Sequence, residues 1–343
     1  MRLLFVKLKH IGDTLLLTPT LAAVHATHPS AQIWVVVRRG CEGILAGCPV
    51  IDRLLTVAEP EKEKRSMLNW WEDFRTALLL RRQRFDYAFE LTDGDRGRWL
   101  CGLSGAQVRC ANDAVRPLNW WWRRRFDYVS HFDWRECHRV EKDFFTVNDC
   151  LSLGREIPPL EFNRARVETW NRQLPDRNYA VIHPGTRWQR KRWPEAKWIE
   201  VGRRLLEQVG GLIISVGPDP EETKLAASLA GNLGPRAIST EGKLSWAQLA
   251  GVLYGAKLFV SLDTAAMHLA AACQCPTVAI FGPSVPTQWR PWRVRHRLLL
   301  PDQKDVASAN LIGDEAQARL IQKVELSDVL AACDELLGGS LAS

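Results

Sequence analysis

Two junctions in the chain place a carboxylate where an apolar strand pattern gives way to a helical pattern. Gly12-Asp13 follows the segment RLLFVKLKHI, and Asp263-Thr264 follows KLFVSL about 250 residues later. Proteins of the α/β class bind ligands in the crevice beyond the carboxyl ends of their parallel strands. Two such junctions in two halves of one chain predict two facing domains with a reaction between them.

The sequence around Asp13 is compatible with two roles. Gly12 lets the backbone turn tightly, and Asp13 then lies at the N-cap or in the first turn of a helix predicted over residues 14–27. As a cap, Asp13 accepts hydrogen bonds from the unpaired N–H groups of the helix start. As a general base, it accepts the proton of an acceptor hydroxyl. The pattern alone leaves both roles open.

A basic loop, HPGTRWQRKRWPEAKW at residues 183–198, leads from a strand pattern into a helix. Gly185 and Thr186 offer backbone and hydroxyl donors, and Glu195 is the single acid of the segment. Its cations are Arg187, Arg190, Lys191, Arg192 and Lys197. Donors and cations before a helix start suit a diphosphate, although the P-loop pattern is absent. The alternative interpretation is a solvated basic loop.

The segment SLDTAAMHL at residues 261–269 is a second candidate for binding an anion. Asp263 and Thr264 are predicted to cap a helix whose first N–H groups favour negative charge. His268 lies one turn further along that helix. It either packs in the core or lies beside a bound phosphate.

The D-x-D pattern Asp93-Gly94-Asp95 is a possible metal site, because paired carboxylates bind divalent cations. It lies far in sequence from both candidate phosphate segments. We therefore interpret it as a loop or an acceptor contact and expect no metal site.

Strand and helix patterns alternate along the chain, which predicts a doubly wound parallel sheet in each half. Strands are predicted at residues 3–7, 32–37, 53–57, 87–91, 107–110, 179–183, 212–216, 237–239, 258–262 and 277–281. Helices are predicted at residues 14–27, 68–82, 194–208, 221–229, 246–254, 265–272 and 326–337. The boundary between the halves is placed in residues 154–178, which contain Pro158, Pro159 and Pro175 and no clear strand.

Length and composition set limits on the class of protein. A chain of 343 residues suits two domains, and no run of about 18 apolar residues predicts a membrane span. The chain starts on a strand pattern rather than a secretory signal, and its nine cysteines lack a metal-ligand spacing. Both observations lead us to expect reduced thiols in the cytoplasm. The net charge of +7 suits an anionic ligand or a membrane surface.

Taken together, the motifs resemble glycosyltransferase family 9, the ADP-heptose:lipopolysaccharide heptosyltransferases. The resemblance is carried, in order, by Gly12-Asp13 with TPTL, by HPGT and KRWP, by VGPDPE, and by SLDTAAMHLAAA with PTVAIFGPS. The segments KLKHIGD, ELTD and QWRPW are most similar to the branch that adds the third heptose of the inner core. The resemblance implies the GT-B fold, with two facing Rossmann-like domains.

The resemblance also implies a domain for each substrate. Residues 1–165 would bind the acceptor and residues 178–325 the nucleotide sugar, while a C-terminal helix at 326–343 is expected to pack back on the N-terminal domain. Carried over by motif, Asp13 is the catalytic base, and Lys191 is the lysine that meets the donor phosphates. The other expected donor-binding residues are Thr186, Arg190, Asp219 near the ribose, Leu244 under the adenine, Asp263, Thr264, Ala265 and His268. Some family members have glycine at the position of Ala265.

The expected acceptor is the lipopolysaccharide core at the inner membrane surface, with the enzyme cytoplasmic and peripheral to that membrane. The candidate acceptor-binding residues are Lys9, His10, Asp93, Arg123, Arg124 and Arg139. Three of them lie in residues 119–139, where Trp120–Trp122 precede Arg123–Arg125. This segment suits an acceptor that carries phosphates and acidic sugars on a lipid, but a partly buried loop or a nucleic-acid contact has the same composition.

The resemblance implies inverting transfer without metal or cofactor, because lysine and a helix terminus can hold the charge of the departing diphosphate. One alternative is a related family 9 enzyme that uses a different sugar or acceptor, including a protein. A second is a non-catalytic nucleic-acid-binding protein, which leaves Asp13, Lys191 and Asp263 unexplained. We expect no nucleic-acid partner, and the sequence does not predict the oligomeric state.

Overall fold

The computed structural model describes residues 1–58, 67–170, 178–302 and 319–338, together with Lys304 and Ala316. The chain divides into two compact units, Met1–Leu160 and Glu161–Ser343. Parts of the predicted boundary segment (171–177) and of the predicted C-terminal helix region (339–343) lie outside the described residues. In the described part of the chain, no helix is long and apolar enough to cross a membrane.

The first unit is built on a six-stranded sheet in the order β3-β2-β1-β4-β5-β6, with every neighbouring pair parallel. The strands are β1 (Arg2–Lys7), β2 (Gln32–Arg38), β3 (Arg53–Val57), β4 (Tyr87–Glu90), β5 (Val108–Asn112) and β6 (Tyr128–Ser130). The order reverses between β1 and β4. A doubly wound sheet opens its ligand crevice at such a switch point.

The second unit has a six-stranded parallel sheet in the order β12-β11-β10-β7-β8-β9. Its strands are β7 (Tyr179–His183), β8 (Gly211–Ile214), β9 (Ala237–Ser239), β10 (Phe259–Leu262), β11 (Thr277–Ile280) and β12 (His296–Leu299). Its switch point lies between β7 and β10. The predicted doubly wound sheet in each half is confirmed.

Helices cover these sheets, because buried parallel strands are apolar on both faces and need cover on each. The first unit has α1 (Ile11–Leu15), α2 (Thr18–Thr27), α3 (Met67–Arg81), α4 (Asp95–Leu103), α5 (Trp120–Arg123) and α6 (Arg139–Leu151). The second has α7 (Glu195–Gln208), α8 (Pro220–Leu233), α9 (Trp246–Gly255), α10 (Ala265–Ala272), α11 (Pro286–Trp289) and α12 (Leu326–Gly338).

The prediction of a single helix over residues 14–27 is wrong. The structure has two helices, α1 and α2, separated by Leu16 and Leu17. Pro19 has no N–H with which to continue the helical ladder to the carbonyl of Leu15. The hydroxyl of Thr18 donates to that carbonyl instead, at 2.8 Å. The chain therefore turns and restarts at the proline, which is well placed in a first helical turn.

The C-terminal helix, expected at residues 326–343, belongs to the second unit. Helix α12 packs against α7, β11 and β12 of the second unit. It buries Val329, Ala332, Cys333 and Leu336 in the same apolar cluster as Trp198 and the second sheet. The helix is an integral part of the second core.

Candidate functional site

The central feature of the second unit is an ion pair between two loops that lie far apart in sequence. The ammonium of Lys191, in the loop after β7, lies 2.6 Å from the Oδ2 atom of Asp263, which follows β10. Because β7 and β10 are neighbours at the switch point, the loops at their carboxyl ends meet. Both residues were predicted to bind the donor, and the structure brings their side chains together.

Thr264 presents an unused hydroxyl beside this pair. It is the N-cap of α10, but its side chain makes no capping hydrogen bond. Its Oγ1 atom is buried and has no hydrogen-bond partner among the described residues. Thr264 therefore occupies the predicted N-cap position but makes no capping hydrogen bond with its side chain. A buried unpaired hydroxyl next to a helix start is suited to an oxygen-rich ligand.

The loop after β7 approaches its surroundings closely at Gly185. A Cβ atom added there would collide with the carboxylate of Glu222. That carboxylate accepts a hydrogen bond from the N–H of Gly217 at 2.8 Å. Burial raises the pKa of Glu222, with the hydrogen bond from Gly217 opposing the shift. Glu222 therefore ties together the loops after β7 and β8, a role that the sequence analysis missed.

His183, the last residue of β7, is a second residue that the sequence analysis missed. Its Nδ1 atom lies 2.9 Å from the hydroxyl of Ser215, which follows β8. Burial lowers the pKa of His183 to about 4. The imidazole is therefore neutral near pH 7 and supports the loop through a hydrogen bond rather than through charge.

The other expected donor-site residues differ in their surroundings. Thr186 is buried, and its hydroxyl accepts from the N–H of Trp188 at 3.3 Å. Asp219 caps α8, because its Oδ1 atom accepts from the N–H groups of Glu221 and Glu222. The structure thus gives Asp219 a definite capping role beside the ribose role expected from the resemblance.

The cations of the basic loop divide into separate groups. Arg190 is exposed, with its guanidinium 5.6 Å from the centre of the Trp188 ring. Lys197 donates to the carbonyl of Val324 at 2.7 Å and so fastens α7 to the segment before α12. Arg192 lies 3.5 Å from the carboxylate of Glu221. Lys191 is the cation that is paired with Asp263 at the edge of the sheet.

The last three expected donor residues lie on or before helices that reach this edge. Ala265 is the first residue of α10 and is partly exposed. His268 is buried one turn further along the same helix. Leu244 is partly exposed and comes just before Ser245, whose side chain forms a capping box with Gln248 at the start of α9.

In the first unit, Asp13 lies within α1 rather than at its cap. The N-cap is His10, and Asp13 is partly exposed in the first turn. Burial lowers the pKa of Lys9 and also that of Arg139, and the negative charge of Asp13 opposes both shifts. Asp13 thus lies in a group of charges that includes one residue after β1 and one at the start of α6.

Asp93 and Asp95 do not face a common site. Asp93 is buried, and its Oδ2 atom lies 2.6 Å from the ammonium of Lys142 on α6. Asp95 instead accepts hydrogen bonds from Arg98 and from the indole N–H of Trp122. In the described part of the chain, no group of three or more His, Cys, Asp or Glu residues could hold a metal ion. Because Asp93 is buried, its position also argues against the direct contact with the acceptor that was expected of it.

The ion pair of Asp93 belongs to a buried charge network that the sequence analysis missed. Lys7, the last residue of β1, lies 2.5 Å from the carboxylate of Asp143 on α6. Glu90 ends β4 and accepts from the N–H groups of Thr92 and Asp93. Burial and the charge of Asp93 raise the pKa of Glu90 to about 7. The available signal was the helical spacing of Arg139, Lys142, Asp143 and Thr146, which places these polar residues on one side of α6.

The segment at residues 119–139 forms stacked pairs of tryptophan and arginine. The guanidinium of Arg125 lies 3.8 Å from the centre of the Trp121 ring, and that of Arg124 lies 5.4 Å from Trp120. Arg139 stacks on Trp134 at 4.0 Å. Arg123 and Arg124 are exposed, as is His10. Of these arginines, Arg123 and Arg124 are thus exposed to solvent, whereas Arg139 lies near Asp13, as described above.

Comparisons with known proteins agree with this architecture. The family model for glycosyltransferase family 9 (heptosyltransferase) matches residues 74–310. Lipopolysaccharide heptosyltransferase 3 of Escherichia coli is 26% identical over 336 residues, which cover 96% of this chain and 97% of the relative. Lipopolysaccharide heptosyltransferase 1 of Pseudomonas aeruginosa is 30% identical over 297 residues, which cover 83% of this chain and 80% of the relative.

The fold is shared with solved heptosyltransferases. The Escherichia coli ADP-heptose lipopolysaccharide heptosyltransferase II matches with a TM-score of 0.78 and 17% identity over 100% of both chains. An Escherichia coli heptosyltransferase solved with ADP matches with a TM-score of 0.75 and 23% identity, over 98% of this chain and 100% of that one. The two parallel sheets are thus those of the GT-B fold. This chain belongs to glycosyltransferase family 9, the heptosyltransferases, and is a glycosyltransferase.

Proposed function

We propose that this enzyme transfers a heptose from ADP-heptose to the inner core of lipopolysaccharide. The observation that carries the proposal is the meeting of Lys191 and Asp263 at the carboxyl edge of the second sheet, beside the unpaired hydroxyl of Thr264. A cation, a hydroxyl and a helix start at one sheet edge suit a nucleotide diphosphate. The family supplies the sugar, and the similarity to lipopolysaccharide heptosyltransferase 3 favours the branch that adds the third heptose.

The proposed reaction is an inverting displacement. The acceptor hydroxyl oxygen attacks the anomeric carbon of the heptose while the bond from that carbon to the diphosphate breaks. Asp13 takes the hydroxyl proton, and ADP leaves with the electron pair of the broken bond. Such transition states have oxocarbenium character, as they do in glycoside hydrolysis.

The residues of the second unit would stabilise the departing diphosphate. Lys191 can turn from Asp263 to a phosphate oxygen, and the hydroxyls of Thr186 and Thr264 can donate to others. The start of α10 adds its N–H groups, next to Ala265. Fixed donors aimed at developing charge often contribute more to catalysis than any other single effect. Asp219, Leu244, Arg190 and His268 complete the proposed donor set.

The proposed mechanism needs no metal and no cofactor, because a lysine and a helix terminus hold the leaving charge. We expect full transferase activity in excess EDTA, measured as ADP release. A loss of activity on chelation that Mg²⁺ or Mn²⁺ restores would contradict this mechanism.

On the acceptor side, Lys9 and Arg139 lie in the same group of charges as Asp13. They suit the phosphates and acidic sugars of an inner core, and His10, Arg123 and Arg124 offer further contacts. Because this acceptor is anchored to a lipid, we also propose that the enzyme works peripherally at the cytoplasmic face of the inner membrane.

The deciding experiment measures ADP release from ADP-heptose with and without purified core acceptor. Release that depends on core lacking its last heptose supports the proposal, and mass spectrometry of the product should show the mass of one added heptose. Release with a protein acceptor, but not with core, would favour a different family 9 activity. A protein that releases no ADP but binds nucleic acid would contradict the enzymatic assignment of the site.

A further inference from the structure

Helix α3 has an apolar face that is exposed to solvent. Trp71, Phe74 and Leu78 are 60%, 49% and 43% exposed. Their spacing places them on one side of the helix, whereas Leu80, on the other side, is buried. The rings of Trp71 and Phe74 also pack against each other, with centroids 6.0 Å apart. A cluster of this kind differs from the scattered single apolar residues of an ordinary surface.

The two following helices extend the exposed aromatic surface. Trp99 on α4 and Trp120 on α5 are 41% and 71% exposed. Helix α3 packs against α4. Buried residues of all three helices, Leu80, Leu100 and Trp122, share one apolar cluster with β1 and β4. The three helices therefore cover the same face of the first sheet. We call the surface formed by Trp71, Phe74, Leu78, Trp99 and Trp120 the aromatic face.

The charge around the aromatic face is positive. Arg75, Arg81 and Arg82 on and just after α3 are exposed, and they form no ion pair within the described ranges of the chain. The exposed Arg123–Arg125 lie beside Trp120.

The acids of α3 do not offset this charge. Glu72 pairs with Arg39, and Asp73 accepts two hydrogen bonds from Arg96. Exposed arginines thus lie beside the apolar side chains, while the two carboxylates of α3 are each paired with an arginine.

We propose that the aromatic face docks on a bilayer surface with anionic headgroups. Tryptophan is favoured at the level of the headgroups, and arginine can keep its charge in water while its stem lies along apolar surface. Helices with an apolar face and a basic rim lie in the plane of a membrane interface. The inference rests on the proposed peripheral membrane location and identifies the surface responsible for it.

The test is co-sedimentation of the full-length protein with vesicles. One set of vesicles is pure phosphatidylcholine, and the other contains equal parts of phosphatidylcholine and phosphatidylglycerol. We expect binding to the anionic set, weakened by salt because exposed charges are screened. Replacing the apolar side chains together, by Trp71→Ser, Phe74→Ser and Leu78→Ser, should reduce affinity at least about tenfold. The matched control Leu300→Ser changes an exposed leucine of the second unit and should leave binding unchanged.

A charge variant tests the arginines separately. Arg75→Gln combined with Arg82→Gln should weaken binding to anionic vesicles by about fivefold per residue. Arg166→Gln, at an exposed arginine of the second unit, is the matched control. Because the substituted side chains are exposed, each variant should keep the wild-type thermal unfolding midpoint. A lowered midpoint would identify a variant that does not fold correctly.

The outcomes separate this inference from the proposed function. Transfer to a lipid-free core oligosaccharide should be unchanged in the aromatic-face variants, while transfer to core in vesicles should fall. Equal vesicle binding by wild type and variants would overturn the docking surface even if transfer to core is confirmed. Self-association or nucleic-acid binding that the same variants abolish, without vesicle binding, would overturn it as well.

Discussion

Asp13 is the residue whose proposed role is most directly testable. We expect Asp13→Asn to lower kcat by about a hundredfold or more, which is the usual scale for loss of a general base. ADP affinity should stay at the wild-type value, because Asp13 belongs to the unit that is proposed to bind the acceptor. Steady-state kinetics and calorimetry measure the two quantities. Asp95→Asn, an exposed aspartate paired with Arg98, is the matched control. Near-normal turnover in Asp13→Asn would contradict the role.

Glu90 should make stability depend on pH. Burial and the charge of Asp93 raise its pKa to about 7 in the folded protein, against 4.5 for the ordinary group. Between these pH values the folded state retains a proton that the unfolded state has lost. The contribution of Glu90 to stability is therefore present below about pH 4.5 and is lost as pH rises to about 7.

Glu90→Gln should remove this dependence. From pH 5 to pH 8, the free energy of unfolding of the variant should rise relative to that of wild type, by up to about 3 kcal/mol. Urea unfolding at several pH values measures the difference. Parallel pH profiles for wild type and variant would show that Glu90 does not titrate in this range.

At the scale of elements, the loops after β7 and β10 act as one unit through Lys191 and Asp263. Lys191→Ala should weaken ADP binding by about ten- to a hundredfold, because a hydrogen bond to a charged group contributes roughly 1.5–3 kcal/mol. Arg190→Ala, which removes an exposed neighbouring cation, should have a smaller effect. Calorimetry with ADP gives both values. Equal losses in the two variants would assign the phosphate contact to the loop as a whole rather than to Lys191.

The pair also predicts coupling between the two loops. Residues in direct contact typically show interaction energies of about 0.5–3 kcal/mol in a double-mutant cycle. The cycle of Lys191→Ala and Asp263→Asn, followed by thermal or urea unfolding, should fall in this range. Additive effects would mean that the ion pair contributes little to holding the loops together.

The elements show which parts of the structure can be predicted from sequence. Buried strands such as β7 and β10 are continuous apolar runs, so their positions and parallel arrangement follow from the pattern. Strands β6 and β12 were missed because they are short, lie at sheet edges and include exposed residues. The break between α1 and α2 required attention to the missing N–H of Pro19.

The meeting of Lys191 and Asp263 could be predicted because a motif marks the end of each of their strands, and the role of Asp13 stays a prediction. The buried network of Lys7, Glu90 and Lys142 was not predicted, because charged residues are normally assigned to the surface. Their burial depends on partners that are distant in sequence. Lys7, for example, finds its partner Asp143 across 136 residues. Such pairings are fixed by the three-dimensional arrangement and leave little trace in local sequence patterns.

At the scale of the whole molecule, helix α12 makes the stability of the second unit depend on residues 326–338. Leu336 is buried against the second core, whereas Leu337 is partly exposed. Leu336→Ala should lower the free energy of unfolding by about 2–5 kcal/mol, and Leu337→Ala by less. Chemical denaturation measures both. Because ADP is proposed to bind the second unit, ADP should protect it against unfolding. Equal costs for the two leucines would contradict the packing of α12.

The two sheets are wound in the same way. Counted from its own first strand, each sheet has the order 3-2-1-4-5-6. In each, an aspartate after the fourth strand pairs with a lysine, Asp93 with Lys142 and Asp263 with Lys191. The same winding therefore places a lysine–aspartate pair at the switch point of each sheet. The lysine comes from helix α6 in the first unit and from the loop after β7 in the second.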